Sequence, residues 1–331
     1  METIELGRSQ LPVTRMGLGL AALGRPGYIN LGHADDLESN YEIKVMEEHA
    51  HEVLDAAWDL GIRYFDAARS YGRAENFLAS WLTFRDIDPQ SVTVGSKWGY
   101  TYTADWNVTA EHHEIKEHSL AVLNRQILES RSLLGAQLDL YQIHSATLES
   151  GVLENDQVLS RLAELRDSGL AIGMSMSGPA QSEILLRAME IEYGGQPLFS
   201  AVQATWNLLA QEAGDTLSQA HEAGMGVVIK EAVANGRLTD RNLDPAFEKQ
   251  RALLESSAQA LDTTIDALAL AAVLAQPWVD VVLSGAAQVE HIVSNVKAFD
   301  VKAGDWLDEL LAALREKPQQ YWQMRSGLDW N

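Results

Sequence analysis

Four ionisable side chains lie at the ends of three short apolar segments of this sequence. Asp66, Lys97 and His144 each stand at, or directly after, the last residue of such a segment, and Tyr71 follows Asp66 by five residues. A charged residue often ends a strand, so any one of them alone would indicate little. If the three segments are consecutive parallel strands, their carboxyl ends lie together and the four side chains converge there.

These four residue types together suit proton transfer to a carbonyl oxygen. A free tyrosine has a pKa near ~10 and is a poor acid at neutral pH, and a lysine cation such as Lys97 beside it favours the phenolate and lowers that pKa. Asp66 can hold the lysine charged and oriented, and His144 can donate a hydrogen bond to the carbonyl oxygen. We therefore expect Tyr71 to protonate an alkoxide while a hydride reaches its carbon.

The elements that must position these residues follow an alternating pattern. Short β-type segments alternate with amphipathic helical patterns, several of which end at a glycine, as at Gly61, Gly135, Gly169 and Gly224. Eight strand–helix units in about 300 residues predict the α/β class and a closed (β/α)8 TIM barrel, with an open doubly wound sheet as the alternative. The predicted strands are Met16–Leu20, Arg63–Asp66, Val92–Ser96, Leu138–His144, Ala171–Ser175, Phe199–Gln203, Gly226–Lys230 and Val279–Ser284.

Segments outside the alternation supply an N-terminal element and two long loops. Thr3–Leu6 and Leu11–Thr14 predict a β-hairpin that could plug one end of the barrel. Residues 21–43 follow the first barrel strand and residues 98–112 the third, and loops of this length are usually functional. We expect residues 21–43 to form a lid with few apolar anchors. The aromatic side chains expected to wall a substrate pocket are Trp98, Tyr100 and Trp106.

The composition excludes several classes of protein. The 331 residues include 25 Lys and Arg against 47 Asp and Glu, and the net charge of −22 disfavours nucleic acid and anionic membrane surfaces as partners. There is no cysteine, which excludes disulfides and cysteine nucleophiles. The amino terminus lacks a signal-peptide pattern, and the apolar run Ala267–Ala275 is too short to span a membrane. We expect a cytoplasmic protein with one domain over residues 1–331 and a C-terminal tail from about residue 304.

Several motifs, in their order along the chain, resemble those of the aldo-keto reductase family. One motif surrounds Asp66 and Tyr71, and another ends at His144. Each motif is short, but together they extend over nearly the whole chain, up to about Ala303. The segments that carry the resemblance are Leu6–Gly19, Gly61–Glu75, Leu128–His144, Ile172–Ser175, Val202–Gln203, Ala234–Thr239 and Ser284–Asn295.

The resemblance implies a (β/α)8 barrel that binds a nicotinamide dinucleotide without a Rossmann domain. It implies that Asp66, Tyr71, Lys97 and His144 form the catalytic set, with Tyr71 as the acid in reduction and the base in oxidation. It also implies a set of cofactor-binding positions for the nicotinamide, the phosphates and the adenine. The residues at those positions are Ser175, Gln203, Trp206, Lys230, Leu283, Ser284, Gly285, Ala286, His291 and Asn295.

Departures from the family's pattern concern the cofactor. Met176 occupies the position of an asparagine that helps to hold the nicotinamide carboxamide in many members. Lys230 lies near the position of an aromatic residue that stacks on the nicotinamide, and Trp206 is expected to take over that stacking. Where strongly phosphate-selective members have Lys, Ser and Arg, this chain has Gly285, Ala286 and His291.

The identity of the dinucleotide follows from the resemblance only in part. Most members of the family that the chain resembles prefer NADP(H). We therefore expect NADP(H) as the cofactor, with NAD(H) also accepted. The segment Leu283–Asn295 contains no Arg or Lys that could form a cationic fork for the 2′-phosphate, and His291 is its only potential cation. Discrimination between the two cofactors is therefore expected to be weak.

Two functions from different classes fit the resemblance. The first is an enzyme that reduces a small-molecule carbonyl or oxidises the alcohol, and the second is a cofactor-sensing regulatory subunit of the same fold. The complete set of Asp66, Tyr71, Lys97 and His144 favours the enzyme. A metal-dependent hydrolase would need clustered His and Asp ligands, and the strand ends offer one of each with a lysine between them, so we expect no metal. Flat aromatic walls suit either sugar rings or aromatic aldehydes and leave the substrate open.

Overall fold

The structure, a computed structural model, covers residues 1–331. The strands are β1 Thr3–Leu6, β2 Leu11–Thr14, β3 Met16–Gly19, β4 Tyr64–Asp66, β5 Thr93–Trp98, β6 Tyr100–Tyr102, β7 Glu114–Lys116, β8 Leu140–Ala146, β9 Ala171–Met176, β10 Glu192–Tyr193, β11 Gln196–Pro197, β12 Ala201–Thr205, β13 Gly226–Lys230 and β14 Val281–Ser284. The α-helices are α1 His33–Asp36, α2 Ile43–Asp59, α3 Ala74–Phe84, α4 Leu120–Leu134, α5 Asp156–Asp167, α6 Gln181–Met189, α7 Gly214–Glu222, α8 Glu248–Ala260, α9 Ile265–Leu274, α10 Val289–Asn295, α11 Asp305–Leu314 and α12 Pro318–Ser326.

Eight of these strands close into a parallel barrel. In order around the barrel they are β3, β4, β5, β8, β9, β12, β13 and β14, and the pairing of β14 with β3, which places Leu283 opposite Gly17, closes the ring. The predicted (β/α)8 barrel is therefore confirmed, and the open-sheet alternative is wrong. Each predicted strand is present, because apolar β-type segments between amphipathic helices are typical of a sheet that is covered on its outer face.

The predicted N-terminal hairpin is confirmed as β1 and β2, which pair antiparallel. It covers the amino-terminal end of the barrel, where Leu6 and Val13 pack in one apolar cluster with Tyr64. Gly7 has a φ of +47°, and a Cβ added there would lie 2.1 Å from the Gly226 backbone nitrogen. The hairpin can approach β13 this closely only because glycine occupies the turn.

The segment 21–43 packs against the barrel and does not form the sparsely anchored lid expected from the sequence. Residues 22–27 are buried, and the Arg25 side chain donates to the Ser70 carbonyl at 3.1 Å and to Glu114 at 3.0 Å. Glu114 belongs to β7, which pairs with β6 at the start of the second long segment. The expectation of few apolar anchors is wrong because Leu23 and Leu37 pack in the main core, and buried polar contacts also hold the segment in place.

The C-terminal segment lies across the carboxyl end of the barrel. Helices α11 and α12 pack on α8 and α9 in a second apolar core that includes Tyr321 and Trp322. Asn331 and Tyr28 exchange two backbone hydrogen bonds, at 3.1 and 3.3 Å. The Trp330 ring stacks on His113, with 3.9 Å between the ring centroids. The tail therefore contacts the segment 21–43 and the residue that directly follows the segment 98–112.

No single helix has the length and apolar composition needed to cross a membrane, while the bent pair Pro245–Ala260 and Ile265–Leu274 meets that test by length and composition alone.

Two aspartates join neighbouring strands at the amino-terminal end of the barrel. The Asp139 carboxylate accepts the Val94 N–H at 2.8 Å, and the Asp280 carboxylate accepts the Val227 N–H at 2.7 Å. Burial raises the pKa of Asp139 to about 6 and also raises the pKa of Asp280 above its ordinary value. Folding thus makes each carboxyl group harder to ionise than it is in the unfolded chain.

We predict that Asp139→Asn stabilises the protein more at pH 7.5 than at pH 4.5. A pKa that folding raises from 3.8 to about 6 costs stability as the pH increases through that interval, because the unfolded chain ionises more easily. Asparagine keeps an oxygen acceptor for Val94 and removes the ionisation. The gain in the free energy of unfolding relative to wild type should be about 1 kcal/mol larger at pH 7.5 than at pH 4.5. This is less than the full pKa shift would give, because solvent reaches part of the carboxylate.

Urea unfolding of wild type and variant at both pH values measures this difference. The exposed Asp167, which pairs with Arg166 on the surface, provides the matched control Asp167→Asn. An Asp139→Asn effect of equal size at both pH values would contradict the raised pKa.

Candidate active site

A buried ion pair joins the ends of β4 and β5 inside the barrel. The Lys97 ammonium group, which is fully buried, donates to the Asp66 carboxylate and also to the Ala67 carbonyl at 3.0 Å. A Cβ added to Gly95 would lie 2.8 Å from the Tyr64 hydroxyl and 3.2 Å from Asp66. Glycine at this position of β5 therefore leaves room for the groups that surround the carboxylate.

The second carboxylate oxygen of Asp66 accepts three hydrogen bonds. The donors are the Tyr64 hydroxyl at 3.2 Å and the Gln142 and Gln203 amides, each at 3.1 Å. Tyr64 and Gln142 are not among the site residues predicted from the sequence. A signal for them exists, because Tyr64 stands two residues before Asp66 and Gln142 two before His144, and strand residues two apart face the same side.

Tyr71 and His144 meet beside this ion pair. The Tyr71 hydroxyl lies 3.4 Å from His144 Nε2, and the Lys97 ammonium lies 5.0 Å from the centre of the Tyr71 ring. Burial and then the charge of Lys97 lower the pKa of His144 well below its ordinary value, so the imidazole is neutral at pH 7. A neutral imidazole can donate one hydrogen bond to a carbonyl oxygen without competing for the Tyr71 proton.

The surroundings of Tyr71 keep its hydroxyl protonated. Burial and then the charge of Asp66 raise the pKa of Tyr71 far above its ordinary value, and the cation that opposes them is Arg25. The expected lowering of this pKa by Lys97 is therefore not seen in the folded chain, because the ammonium charge is paired with Asp66. A protonated Tyr71 suits a group that donates a proton to a developing alkoxide.

The catalytic set opens into a cavity of about 320 Å³ at the carboxyl end of the barrel. Asp66, Tyr71 and His144 line it, whereas Lys97 is buried beneath them. The remaining wall comes largely from the two long segments, which the sequence had indicated as functional, and from the tail. These wall residues include Arg25, Tyr28, Asn30, Tyr100, Glu114, Arg325, Leu328 and Trp330.

Charged groups on the far wall of this cavity are paired with one another. Arg325 on α12 donates to Glu231 through Nε at 2.9 Å and Nη2 at 2.6 Å, and the Lys230 ammonium donates to Thr205 at 2.7 Å. Burial lowers the pKa of Lys230 to about 8, although Glu231 opposes this shift. For Glu231, Arg325 and Lys230 outweigh burial and lower the pKa to about 2, so the carboxylate is charged.

Besides Lys97, four predicted site residues line neither this cavity nor the second one described below. Trp98 is fully buried and its ring packs edge-on to His118, and Trp106 donates to the Tyr41 carbonyl outside the barrel mouth. Trp206 and Ser175 are also buried, Trp206 against Trp278 and Ser175 through a hydrogen bond from the Ser145 N–H. The predicted residues that do line this cavity, besides the catalytic ones, are Tyr100, Gln203, Lys230, Leu283, Ser284 and Gly285.

A second cavity of about 650 Å³ continues from the first. Asn30, Val233 and Gly285 line both, so the two form one groove that begins at Tyr71. Ala286, His291 and Asn295, which were predicted to bind the cofactor, line the second cavity. The groove therefore brings together the predicted catalytic residues and most of the predicted cofactor residues.

The groove fits a nicotinamide dinucleotide. A Cβ added at Gly285 would meet no atom within 4 Å, so the backbone at the junction of the two cavities is open to a ligand. Asn235, also in the first cavity, has a buried side-chain oxygen without a hydrogen-bond partner. In the second cavity Asn295 is held by the Ser284 hydroxyl and by Asp266, both at 2.7 Å. An extended ligand with polar groups at both ends matches these features.

Two curated proteins are similar to this chain over most of its length. The chain is 26% identical over 337 residues to the uncharacterized oxidoreductase YqkF of Bacillus subtilis, covering 97% of both chains. It is 23% identical to the probable aryl-alcohol dehydrogenase AAD4 of Saccharomyces cerevisiae, covering 77% of this chain and 84% of that protein.

A solved structure shows the same fold, and a family model gives the family. The fold resembles the holo form of the aldo-keto reductase AKR11C1 from Bacillus halodurans, with a TM-score of 0.73 and 22% identity over 96% of this chain and 97% of that one. The aldo/keto reductase family model matches residues 15–306. The chain therefore belongs to the aldo-keto reductase family, whose members are NAD(P)(H)-dependent oxidoreductases.

Proposed function

We propose that this protein interconverts a small aldehyde or ketone and its alcohol, with Tyr71 as the proton donor in reduction. The observation that carries the proposal is the placement of the Tyr71 hydroxyl 3.4 Å from a neutral His144, above the Asp66–Lys97 pair, at the point where the cavity opens. A carbonyl oxygen placed beside both groups would accept one hydrogen bond from each.

The residues of the chain have separate roles in this reaction. A nicotinamide held in the groove would supply the hydride in reduction and accept it in oxidation. His144 orients the carbonyl oxygen, and Tyr71 gives that oxygen its proton as negative charge develops. Asp66 and Lys97 act on Tyr71 together: the Asp66 carboxylate raises the pKa of the phenol, and Lys97 limits that effect by pairing with the carboxylate.

The regulatory alternative lacks a specific observation in its favour. All four groups of the proton-transfer set are present, as the neighbouring pairs Asp66–Lys97 and Tyr71–His144, and a subunit that only senses the cofactor has no need of them. Relatives named as a pyridoxal 4-dehydrogenase and as aryl-alcohol dehydrogenases support a small carbonyl or alcohol as the substrate. A turnover assay with a panel of aldehydes, ketones and sugars, using each cofactor, tests the proposal directly.

We predict that Tyr71→Phe lowers kcat for reduction by roughly 10²–10⁴-fold, the usual contribution of a positioned acid. The cofactor should bind with nearly unchanged Kd, because the ring is retained and only the hydroxyl is lost. Stopped-flow measurement of hydride transfer, with a separate binding titration, checks both parts.

The surface residue Tyr193, whose hydroxyl bonds to Asp156 away from the cavity, provides the matched control Tyr193→Phe. Near-native reduction by Tyr71→Phe would remove Tyr71 from the mechanism.

We predict that Lys97→Met impairs oxidation more than reduction at pH 7. Oxidation requires the Tyr71 phenolate, and loss of the cation leaves Asp66 free to raise the pKa of Tyr71 further. The oxidation rate should fall by roughly tenfold for each unit of that rise and recover as the pH increases. Reduction uses the protonated phenol, which is already the main form.

The pH dependence of kcat in both directions measures this effect. The double variant Asp66→Asn/Lys97→Met removes both charges and should return the oxidation profile toward lower pH. Lys44→Met, at an exposed helical position, is the control. An oxidation profile identical to that of wild type would show that Lys97 has no influence on Tyr71.

A further inference from the structure

The second cavity holds one arginine, and its donors are already used. Arg241 donates to both carboxylate oxygens of Asp36, to the Leu31 and Gly32 carbonyls at 3.3 Å, and to His291 Nε2 at 3.0 Å. These contacts engage both terminal nitrogens of the guanidinium and leave only Nε without a partner. A phosphate that requires a bidentate fork finds none here.

Asp36 keeps Arg241 in this position. Its side chain is 1% exposed, so withdrawal of the arginine would leave a buried carboxylate without its cation, which is costly. The neighbouring His33 is no substitute, because burial lowers the pKa of His33 to about 4 and the ring is neutral at pH 7. The Arg241–Asp36 pair is therefore a fixed, internally neutral unit.

His291 is not a free cation either. Its Nε2 accepts the hydrogen bond from Arg241, which requires that this nitrogen carry no proton. Burial lowers the pKa of His291, and the charge of Arg241 lowers it further, while Asp36 at 3.7 Å opposes them. His291, which the sequence offered as the only potential cation of the segment Leu283–Asn295, is thus neutral in the folded protein.

The other charged residues of this cavity are acidic. Asp240, Glu255 and Asp266 line it together with Arg241 and His291. Arg251 pairs with Glu255 at 3.6 Å, so once Arg241 is neutralised by Asp36 the carboxylates of Asp240 and Asp266 leave the cavity with a net negative charge. A 2′-phosphate, with a charge of about −2, would be repelled there, whereas neutral ribose hydroxyls can donate hydrogen bonds to carboxylates.

From these contacts we propose that the groove selects NAD(H) over NADP(H), and that Asp36 is the residue that sets this selectivity by holding Arg241. The inference rests on the proposed function, because Tyr71 marks the end of the groove where hydride transfer occurs and the second cavity must then receive the adenosine half. It favours the opposite cofactor from the one expected from the family resemblance.

The test measures the Kd of NADH and of NADPH for the complete protein. Quenching of tryptophan fluorescence or calorimetry detects the binding. We expect wild type to bind NADH at least about tenfold more tightly than NADPH. The difference should shrink as salt is added, because added ions screen the repulsion. Tighter binding of NADPH by wild type would overturn the proposal.

Variants identify the residues responsible. Asp36→Asn frees the guanidinium, so NADPH affinity should rise by about tenfold relative to NADH. The double variant Asp36→Asn/Arg241→Met should lose this gain, since the freed cation is removed. If Asp36→Asn does not fold, Glu255→Gln provides a second variant at a largely exposed position. It reduces the negative charge of the cavity and should lower the ratio of the Kd for NADPH to the Kd for NADH. If neither Asp36→Asn nor Glu255→Gln changes the ratio of the two Kd values, the proposal is also overturned.

The binding assay separates this inference from the proposed function. If neither dinucleotide binds, or if both bind and no carbonyl or alcohol is turned over, the proposed function fails. If NADPH binds more tightly and supports turnover, the proposed function stands and only the selectivity assigned to Asp36 is wrong.

Discussion

The active site depends on keeping one carboxylate, Asp66, charged inside the barrel. A carboxylate without a partner at this depth would be costly, because burial removes an ionised group from water. Lys97 supplies the opposite charge, and Tyr64, Gln142 and Gln203 donate to the other oxygen. These partners come from β5, β4, β8 and β12, so the contacts that hold the charge also link four of the eight strands. The same contacts therefore determine where the catalytic groups stand and how the strands are registered around them.

The barrel strands at the base of the groove and the segments that form its walls are held in place by different interactions. The barrel strands are held by apolar packing and by their hydrogen-bonded ladders, whereas the surrounding segments are joined to each other by arginine–carboxylate pairs. Each pair links parts of the chain that are far apart in sequence, and each is at least partly buried, so loss of one partner would leave an uncompensated charge. The pairs are Arg25–Glu114, Arg241–Asp36 and Arg325–Glu231.

The barrel and the catalytic set could be predicted from the sequence because both depend on local periodicity. The same alternation excludes Trp98 from the cavity, since it follows the inward-facing Lys97 and must face the helices. Trp206 is likewise buried outside the cavity, against Trp278. The roles of Arg25 and Arg241 could not be predicted, because their partners lie 89 and 205 residues away and no local pattern connects them.

The distribution of charge also limits how a dinucleotide can be bound. The chain has a net charge of −22, and its long-range field therefore opposes an anionic cofactor. The arginines that border the groove are neutralised by carboxylates of the protein, so they offer little compensating attraction. Affinity must then come from short-range contacts, such as the amide of Asn295, which Ser284 and Asp266 hold in place. Binding that depends on such contacts is governed by the shape and hydrogen-bonding pattern of the groove, and each further negative charge on the ligand weakens it.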